Sequence, residues 1–369
     1  METWKKIRLG SACRTNTDSY SPKEKWDFVN YLDTGNITNN TIDSIQFIDL
    51  TKEKLPSRAR RKVRTDSIVY STVRPNQHHF GIIKSQPENF LVSTGFTVID
   101  VDTNVLNADF LYYLLTQNTL VEALHAIAEQ STSAYPSIKT SDIENLEIEI
   151  PDILTQKKIA NILNSLDGKV TQNNEINKNL EQQAQAIFDD MFPDLFSLNT
   201  DATLQDLIVF ANGKKRPKTI GNIPVYGGNG ILAYTDKSNA DNCVIIGRVG
   251  AYCGNTFLCL DKCWTSDNAI QAKSRTGSSP LFIYYLLRNA SLSSRHIGTG
   301  QPLMTQGILN AIPIKYPVEE KISAFIETCS PIHKMISGNR QQNESLASIR
   351  DSMLPKLMSG EMDVSELNL

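Results

Sequence analysis

Apolar residues recur at spacings of three and four in two long stretches of the chain, roughly from Lys158 to Phe192 and from Lys321 to Leu357. Because this spacing holds over about five heptads, it predicts two long helices with coiled-coil seams. Two ordinary amphipathic core helices are the alternative, although such helices average only about 11–12 residues. The seam positions are Leu163, Leu166, Val170, Asn173, Asn177, Leu180, Ile187, Ile322, Phe325, Ile336, Asn339, Asn343, Leu346 and Met353.

Two prolines interrupt the second stretch. Pro331 lies inside the seam and should kink the helix or split off a short first turn, because proline lacks the N–H that an interior helical position donates. Pro355 should end or bend the helix near Met358. The second helix is therefore expected to be less regular than the first.

Each seam carries two asparagines near its middle, which bears on how the helices pair. The connectivity favours an antiparallel pair, with Ile159 near Leu357 and Ile187 near Cys329. In that arrangement the four amides lie around a local two-fold axis. Buried asparagines cost stability but fix the register, since a slipped pairing leaves amides unpaired among apolar side chains.

The segments between the two stretches repeat one another. Residues 135–151 align without a gap with residues 301–317, and each predicts a short helix, an alternating strand and a proline stop. Further upstream two more pairs match: 110–115 with 282–287, and 68–74 with 244–250. The first pair predicts a helix with an aromatic face, and the second a strand that runs into a loop.

This organisation predicts an α+β protein with a pseudo-two-fold internal repeat. Two α/β domains are separated by two long antiparallel coiled-coil helices. The predicted ranges are 1–151 for the first domain, 152–196 for the first helix, 197–316 for the second domain, and 317–369 for the second helix and tail.

Composition limits the class of protein. Of the 369 residues, 40% are hydrophobic and 21% are charged, which is typical of a folded chain. No run approaches 18 apolar residues and residues 1–10 lack the apolar core of a secretory signal, so we expect a cytoplasmic protein.

A formal net charge of −3 argues mildly against nucleic acid as a partner, but DNA affinity depends on local basic patches. Two such runs are present, with solvated loops as the alternative interpretation. Basic segment 1 contains Arg58, Arg60, Arg61, Lys62 and Arg64, and basic segment 2 contains Lys214, Lys215, Arg216 and Lys218.

The motifs of catalysis and cofactor binding are missing from the sequence. It has no G-x-x-x-x-G-K-[ST] loop, no strand-borne G-x-G-x-x-G and no His-x-x-x-His pair, so no catalytic site, cofactor or metal is predicted. Cys243, Cys253, Cys259 and Cys263 lie at spacings of ten, six and four residues without a C-x-x-C pair. That spacing indicates half-buried thiols more than zinc ligands.

The order of several local segments around the repeat resembles the specificity subunit of type I restriction-modification systems across essentially the whole chain. The segments are WKKIRLG at 4–10, YLDTGN at 31–36, LPSRARRKVR at 55–64, YSTVRP at 70–75, GNIPVYGGNGI at 221–231, GRVGAYCG at 247–254 and KLMSGE at 356–361. The resemblance implies a non-catalytic subunit of a methyltransferase and endonuclease complex. It also implies two target recognition domains, each of which reads one part of a split, asymmetric sequence in double-stranded DNA.

Further partners follow from the same resemblance. The helices are expected to act as a spacer and to dock two methyltransferase subunits, which a restriction subunit then joins. A coiled-coil scaffold with two protein-binding heads and no DNA role is the alternative. The two basic segments discriminate between these hypotheses, because a scaffold should still work after their charges are removed.

A DNA reader needs cations for phosphates and polar loop tips for base edges. Arg74 and Arg248 occupy nearly matching positions at the end of the repeated strand, and both are expected to face DNA. The candidates in the first domain are Arg58, Arg60, Arg61, Arg74, Asn76, Gln77, His78, His79 and Tyr135. Those in the second are Lys214, Lys215, Arg216, Arg248, Tyr252, Arg295 and Gln301.

Overall fold

The chain folds into two compact units. The computed structural model describes residues 4–131, 135–197, 200–298 and 300–364. The first unit combines Met1–Thr171 with Gln342–Leu369, and the second is Gln172–Gln341. Each unit therefore contains one block of strands and short helices together with part of each long helix. Within the described ranges, no helix combines the length and the apolar character needed to cross a lipid bilayer.

The strands of the first unit form small sheets, in which one strand pairing is parallel and the others are antiparallel. They are β1 (Lys5–Arg8), β2 (Cys13–Thr15), β3 (Phe28–Leu32), β4 (Ile37–Thr38), β5 (Thr41–Ile42), β6 (Gln46–Asp49), β7 (Ala59–Arg61), β8 (Ile68–Ser71), β9 (Phe80–Ile82), β10 (Phe90–Ser93), β11 (Phe96–Val101) and β12 (Glu147–Ile150). The sheet orders are β1-β12, β6-β3-β10-β7, β2-β11-β8-β9 and β4-β5.

Short helices cover these sheets and lead into a long one. They are α1 (Ala108–Leu115), α2 (Asn118–Glu129), α3 (Thr140–Glu144) and α4 (Ile153–Met191). All residues of α1 except Asp109 are buried, which matches the aromatic helix predicted for residues 110–115. The side chain of Asn107 caps α1 by accepting a hydrogen bond from the N–H of Phe110 at 2.9 Å.

The second unit is built on one larger sheet. Its strands are β13 (Ala202–Thr203), β14 (Ile208–Asn212), β15 (Ile223–Gly227), β16 (Gly230–Thr235), β17 (Ala240–Gly247), β18 (Thr256–Thr265), β19 (Ala269–Ser274) and β20 (Pro313–Ile314). Its helices are α5 (Leu204–Leu207), α6 (Pro280–Asn289), α7 (Gln306–Asn310) and α8 (Glu319–Met358). The sheet orders are β14-β19-β17-β18-β15-β16 and β13-β20.

The two long helices pair antiparallel inside each unit. In the first unit, Ile159 near the start of α4 shares a buried core with Leu357 near the end of α8. In the second unit, Phe188 near the end of α4 packs on Phe325 near the start of α8, with 5.4 Å between ring centroids. Ile187 packs against the buried core that contains Cys329. The predicted antiparallel pairing is therefore confirmed within each unit.

The seam side chains all lie on the inner faces of these helices. Each of the fourteen predicted seam positions is buried or half-buried. The prediction that Pro331 splits off a first turn is wrong, because α8 continues through it as one helix. Pro331 is exposed, whereas Phe325 and Ile336 on either side are buried, so core packing holds the helix on both sides of the missing N–H. The helix ends at Met358, as the position of Pro355 indicated.

A polar pair joins the helices within the second unit. The Nδ2 of Asn339 donates to the Oδ1 of Asn177 at 2.8 Å, and Asn177 is only 7% exposed. A buried amide requires such a partner, since leaving it unpaired costs the desolvation of the group. This pair therefore favours the observed register over a slipped one.

Replacing Asn339 alone with leucine is expected to cost about 1–3 kcal/mol of unfolding free energy, because Asn177 loses its partner in a buried position. The double variant Asn177→Leu with Asn339→Leu should recover most of that loss, since neither member of this pair is then left without the other. Denaturant unfolding of the two single variants and of the double variant gives the three changes in unfolding free energy that a double-mutant cycle needs. A double variant as unstable as the sum of the single variants would contradict this role.

A second polar pair distinguishes the two units. The hydroxyl of Tyr113 donates to the Oδ2 of Asp167 at 2.7 Å in the first unit, whereas that of Tyr285 lies 2.8 Å from the Nε2 of His333 in the second. Arg350 donates to Asp167 at 2.8 Å, so the carboxylate has a cationic partner. Burial lowers the pKa of His333 to about 4, which keeps its imidazole neutral at pH 7.

The repeat extends to the register of the sheets. In the first unit β11 pairs with β8, and Phe96 lies opposite Ser71. In the second unit β19 pairs with β17, and Ala269 lies opposite Gly247. Both pairings are antiparallel, and each consists of four residue pairs. The two units thus share one structural core, as the sequence repeat predicted.

Candidate nucleic-acid interface

In the first unit, two loops are held together at the end of the repeated strand. The N–H of Arg74 donates to the carbonyl of Pro136 at 2.9 Å, and that of Ile138 donates to the carbonyl of Thr72 at 2.9 Å. These bonds join the strand-exit loop, residues 72–79, to the segment 135–139 that precedes α3. A short backbone ladder therefore positions the side chains that these loops carry.

The ladder brings two of the predicted DNA-binding residues together. The guanidinium of Arg74 lies over the ring of Tyr135, 5.0 Å from its centroid, and Tyr135 is 59% exposed. Arg74 and His78 both have positive φ, at 48° and 56°, on either side of a tight turn. Such conformations cost energy for side chains other than glycine and cluster at functional sites. The turn presents the Arg74–Tyr135 stack at the surface of the first unit.

The second unit repeats this ladder. The N–H of Gly250 donates to the carbonyl of Pro302 at 3.0 Å, and that of Met304 donates to the carbonyl of Arg248 at 2.8 Å. The strand-exit loop of this unit, residues 248–255, is joined in this way to the segment 301–305 before α7. Tyr252 and Gln301, two predicted DNA-binding residues, are exposed on these loops.

The ladders fix the correspondence of the two arginines. In the hydrogen-bond pattern, Arg74 takes the place that Gly250 has in the second unit, and Arg248 takes the place that Thr72 has in the first. The two arginines therefore lie in equivalent loops, at positions that differ by two residues. The prediction that Arg74 and Arg248 occupy nearly matching positions is confirmed for the loop that carries them. Within that loop the two positions differ. Because the offset is two residues, each unit presents its guanidinium from a different point on the same loop.

Arg248 is held in place with unused hydrogen-bonding capacity. Its Nη1 donates to the carbonyl of Asp267 at 3.4 Å, a long contact. Its Nε is buried and has no partner among the described residues. The Nη groups of this half-buried guanidinium, and not its Nε, are the atoms that a bound anion or a base edge can reach.

Basic segment 1 is less cationic than its sequence indicates. The guanidinium of Arg61 donates to the side chain of Asn16 and to the carbonyl of Phe96, so Arg61 is directed inward. These internal bonds leave Arg61 less free to contact DNA than an exposed arginine, and its DNA contact stays a prediction. Lys62 pairs with Glu24 at 2.6 Å and, by hydrogen bonding to it, lowers the pKa of that carboxyl.

Arg64 is also paired, because its Nε lies 3.1 Å from the buried carboxylate of Asp100. Arg58 and Arg60 are exposed. They are the arginines of basic segment 1 that remain suited to phosphate contacts.

In each unit, the basic segment attaches to the turn that also holds the strand-exit loop. In the first unit this turn is Thr94–Gly95: Thr94 donates to the carbonyl of Arg58 and Gly95 accepts from Thr72, both at 2.8 Å. Although basic segment 1 lies between β6 and β8 in the chain, this turn places it next to the loop that carries Arg74.

In the second unit the equivalent turn is residues 265–268. Lys214 donates to the carbonyl of Thr265 at 2.9 Å, and the N–H of Arg248 donates to the carbonyl of Asn268 at 3.0 Å. The indole of Trp264 donates to the carbonyl of Lys214 at 3.1 Å and anchors the segment further. The structure therefore brings basic segment 2, which follows β14, beside the strand-exit loop, as in the first unit.

The remaining candidates differ in how free their side chains are. The Nδ1 of His79 lies 2.7 Å from the carbonyl of Ile37, so one side of this half-buried ring has an internal partner, and its DNA contact stays a prediction. His78 is half-buried against Phe80, while Asn76 and Gln77 are exposed. Arg295 is exposed, but its Nε donates to a backbone carbonyl at 2.8 Å.

A groove of about 390 Å³ beside basic segment 2 adds residues that the sequence did not indicate. It is lined by Lys215, Arg216, Pro217, Lys218, Thr219, Ile220, Ala233, Tyr234 and Asp267. Tyr234 on β16 was missed because it is distant in sequence from the cations. The signal in the sequence was Ile220, an apolar residue that directly follows a polar, cationic segment.

The cysteines are more deeply buried than the half-buried state predicted. Cys243, Cys259 and Cys263 share one small core cluster in the second unit, and the sulfurs of Cys243 and Cys263 are 3.9 Å apart. Cys253 belongs to a different core cluster, so the four close cysteines do not converge. Among the described residues, no group of three or more His, Cys, Asp or Glu side chains is arranged to hold a metal ion.

The comparison with family models gives one assignment. Residues 1–182 and 200–344 match the model described as the type I restriction modification DNA specificity domain. The two matches cover the two repeats and most of the chain.

Individual relatives are consistent with that match. The HindI specificity subunit of Haemophilus influenzae is 32% identical over 194 residues, which cover 53% of this chain and 42% of that relative. The MjaIX specificity subunit of Methanocaldococcus jannaschii is 24% identical over an alignment of 417 positions, covering 98% and 94%. The crystal structure of a type I restriction-modification S subunit from M. genitalium shares the fold, with a TM-score of 0.58, 16% identity and 96% coverage of each chain.

Proposed function

Because this chain belongs to the type I restriction-modification DNA specificity family, we propose that it is the DNA-recognition subunit of a type I restriction-modification complex. Each unit reads one part of a split target in double-stranded DNA. The domain ranges 1–151 and 197–316 correspond in this proposal to the two target recognition domains. The two sequences differ, so the two parts of the target differ as well.

The observation that carries the proposal is the repeated loop arrangement. In each unit an arginine on the strand-exit loop lies beside a basic segment, and one turn holds both. The basic segments lie at different places in the repeat, since one precedes β8 and the other follows β14. Each nevertheless attaches to the equivalent turn of its own unit. DNA binding requires cations for the phosphates next to a loop that contacts bases, because phosphate contacts position the protein and base contacts specify the sequence. Both units have this arrangement.

The loops divide the work of recognition. Arg74, stacked on Tyr135, reads a base edge for the first unit, and Arg248 does so for the second, since guanidinium groups pair well with guanine. Exposed cations contact the phosphates: Arg58, Arg60, Lys214, Lys215 and Arg216. Asn76, Gln77, Tyr252 and Gln301 add polar contacts from the same loops.

The helices and partners complete the proposal. α4 and α8 act as the spacer between the two reading units and dock two methyltransferase subunits, which a restriction subunit joins. The chain itself is non-catalytic and works in the cytoplasm, as expected from the sequence. The purified chain alone should therefore neither methylate nor cleave DNA, and turnover without co-purifying subunits would contradict this part.

The phosphate role is tested by removing charge from the basic segments. Arg58→Gln with Arg60→Gln, and Lys214→Gln with Lys215→Gln, are each expected to weaken binding of all sequences alike, since phosphate contacts carry no sequence information. Each lost contact should reduce the slope of log affinity against log salt by about 0.9. The readout is a salt titration of DNA binding by the methyltransferase-bound complex.

Arg61→Gln is the matched control for that titration. Its guanidinium is committed to Asn16 and Phe96, so the salt slope should not change even if stability falls. If removal of the exposed cations left the salt slope unchanged, they would be solvated loop residues and the scaffold hypothesis would gain support.

A further inference from the structure

Ile220 is an exposed apolar side chain at the end of a cationic loop. It is 91% exposed, whereas Ile231, Leu232 and Tyr234 on the nearby strand β16 are 48–50% exposed. It follows Lys214, Lys215, Arg216 and Lys218 in the chain. Scattered apolar residues are common on surfaces, so exposure alone does not indicate a role.

The backbone on both sides of Ile220 is anchored. The hydroxyl of Thr219 lies 3.0 Å from that of Thr235, and it also donates to the carboxylate of Asp236. Gly221 packs so closely that an added Cβ would lie 2.5 Å from the backbone of Thr235 and Asp236. The anchored backbone on both sides thus holds the exposed isoleucine at a fixed position on this loop.

The surroundings of Ile220 indicate what it contacts. It lines the groove of about 390 Å³ together with the side chains of Lys215, Arg216 and Lys218, and with the half-exposed ring of Tyr234. Asp267 also lines this groove, and the carboxylate of Asp236 accepts a hydrogen bond from Thr219 next to Ile220. Three cations around an apolar tip match a nucleic acid, which offers phosphates on its outside and apolar base surfaces within.

We propose that Ile220 makes an apolar contact with a base of the part of the target that the second unit reads. This inference rests on the proposed function. Isoleucine contributes in one of two ways that share this chemistry: it covers the 5-methyl group of thymine in the major groove, or it inserts between neighbouring base pairs. Ile220 is then a specificity-determining residue, distinct from the cations that bind phosphates.

The test uses the complex with its methyltransferase subunits, after its target has been mapped by sequencing modified DNA. Ile220→Ser is compared with Ile231→Ser, a matched change at an exposed isoleucine on β16 that does not line the groove. Ile220→Ser should reduce discrimination against altered bases in the second part of the target about tenfold. Discrimination in the first part should be unchanged, which shows that the variant folds and assembles.

Two probes distinguish the modes of contact. Replacing each thymine in the second part with uracil removes the methyl group. A loss of affinity with the wild-type complex that is absent with Ile220→Ser supports methyl recognition. Substituting 2-aminopurine reports unstacking, and a fluorescence increase that Ile220→Ser abolishes supports insertion.

Other outcomes overturn the inference. It is wrong if Ile220→Ser retains full discrimination, or if it weakens all sequences alike and so behaves as part of the phosphate-binding loop. A wild-type complex without any sequence preference would instead contradict the proposed function itself, and the inference with it.

Discussion

Replacing Arg248 with alanine is expected to weaken binding of the target by about 1–3 kcal/mol and to relax the sequence requirement in one part of it only. Among the described residues the Nε of Arg248 is buried without a hydrogen-bond partner, and its Nη1 makes a long contact of 3.4 Å with the carbonyl of Asp267. Bound DNA is expected to accept hydrogen bonds from the Nη groups of this half-buried guanidinium, so the alanine variant loses that contact.

Arg74→Ala is the matched change in the first unit. It should relax the other part of the target by a similar amount, because Arg74 lies in the equivalent loop. Arg295→Ala serves as the control, since the Nε of that guanidinium is tied to the carbonyl of Ala290. Binding to a library of targets altered at single positions measures all three variants. If either arginine variant relaxed both parts equally, the model of one unit for each part of the target would be wrong.

Replacing Phe188 with alanine is expected to reduce the unfolding free energy by about 3–5 kcal/mol. Phe188 is 1% exposed and lies at the junction of α4, α6 and α8 in the second unit. Its ring centroid is within 5.1–5.8 Å of four others, those of Phe192, Phe282, Tyr285 and Phe325. The large cavity left by the truncation cannot close without moving a helix, so the loss should be severe.

The control for this prediction lies on the same helix. Ile176 is 42% exposed, and Ile176→Ala should change stability by no more than about 0.5 kcal/mol. Denaturant unfolding monitored by far-ultraviolet circular dichroism measures both variants. Equal losses would show that the end of α4 is not part of the core of the second unit.

The long helices and the repeat were predictable because they depend on local periodicity. The seam spacing of α4 and α8 reflects burial along one face, and the same residues are buried or half-buried in the structure. The repeated strand and its loop were also predictable, since β8 and β17 carry similar apolar patterns. Pro331 was misjudged because its effect depends on the packing of neighbouring turns and not on the proline alone.

The details of the interface could not be predicted, because they depend on contacts between residues distant in the sequence. The internal partners of Arg61 are Asn16 and Phe96, and that of His79 is Ile37, each 35 or more residues away. A run of cations in the sequence does not show which of them are neutralised. Nor does it show that two basic segments at different places in the chain attach to the same turn.

One chain is expected to read two unlike sequences, one with each unit. The direct test is to co-express the chain with its methyltransferase subunits in a host that lacks DNA modification, and to map the modified bases across the genome. We expect one bipartite motif, in which two different specified parts are separated by positions that are not read. A continuous motif, two identical parts, or the same modification pattern without the chain would contradict it.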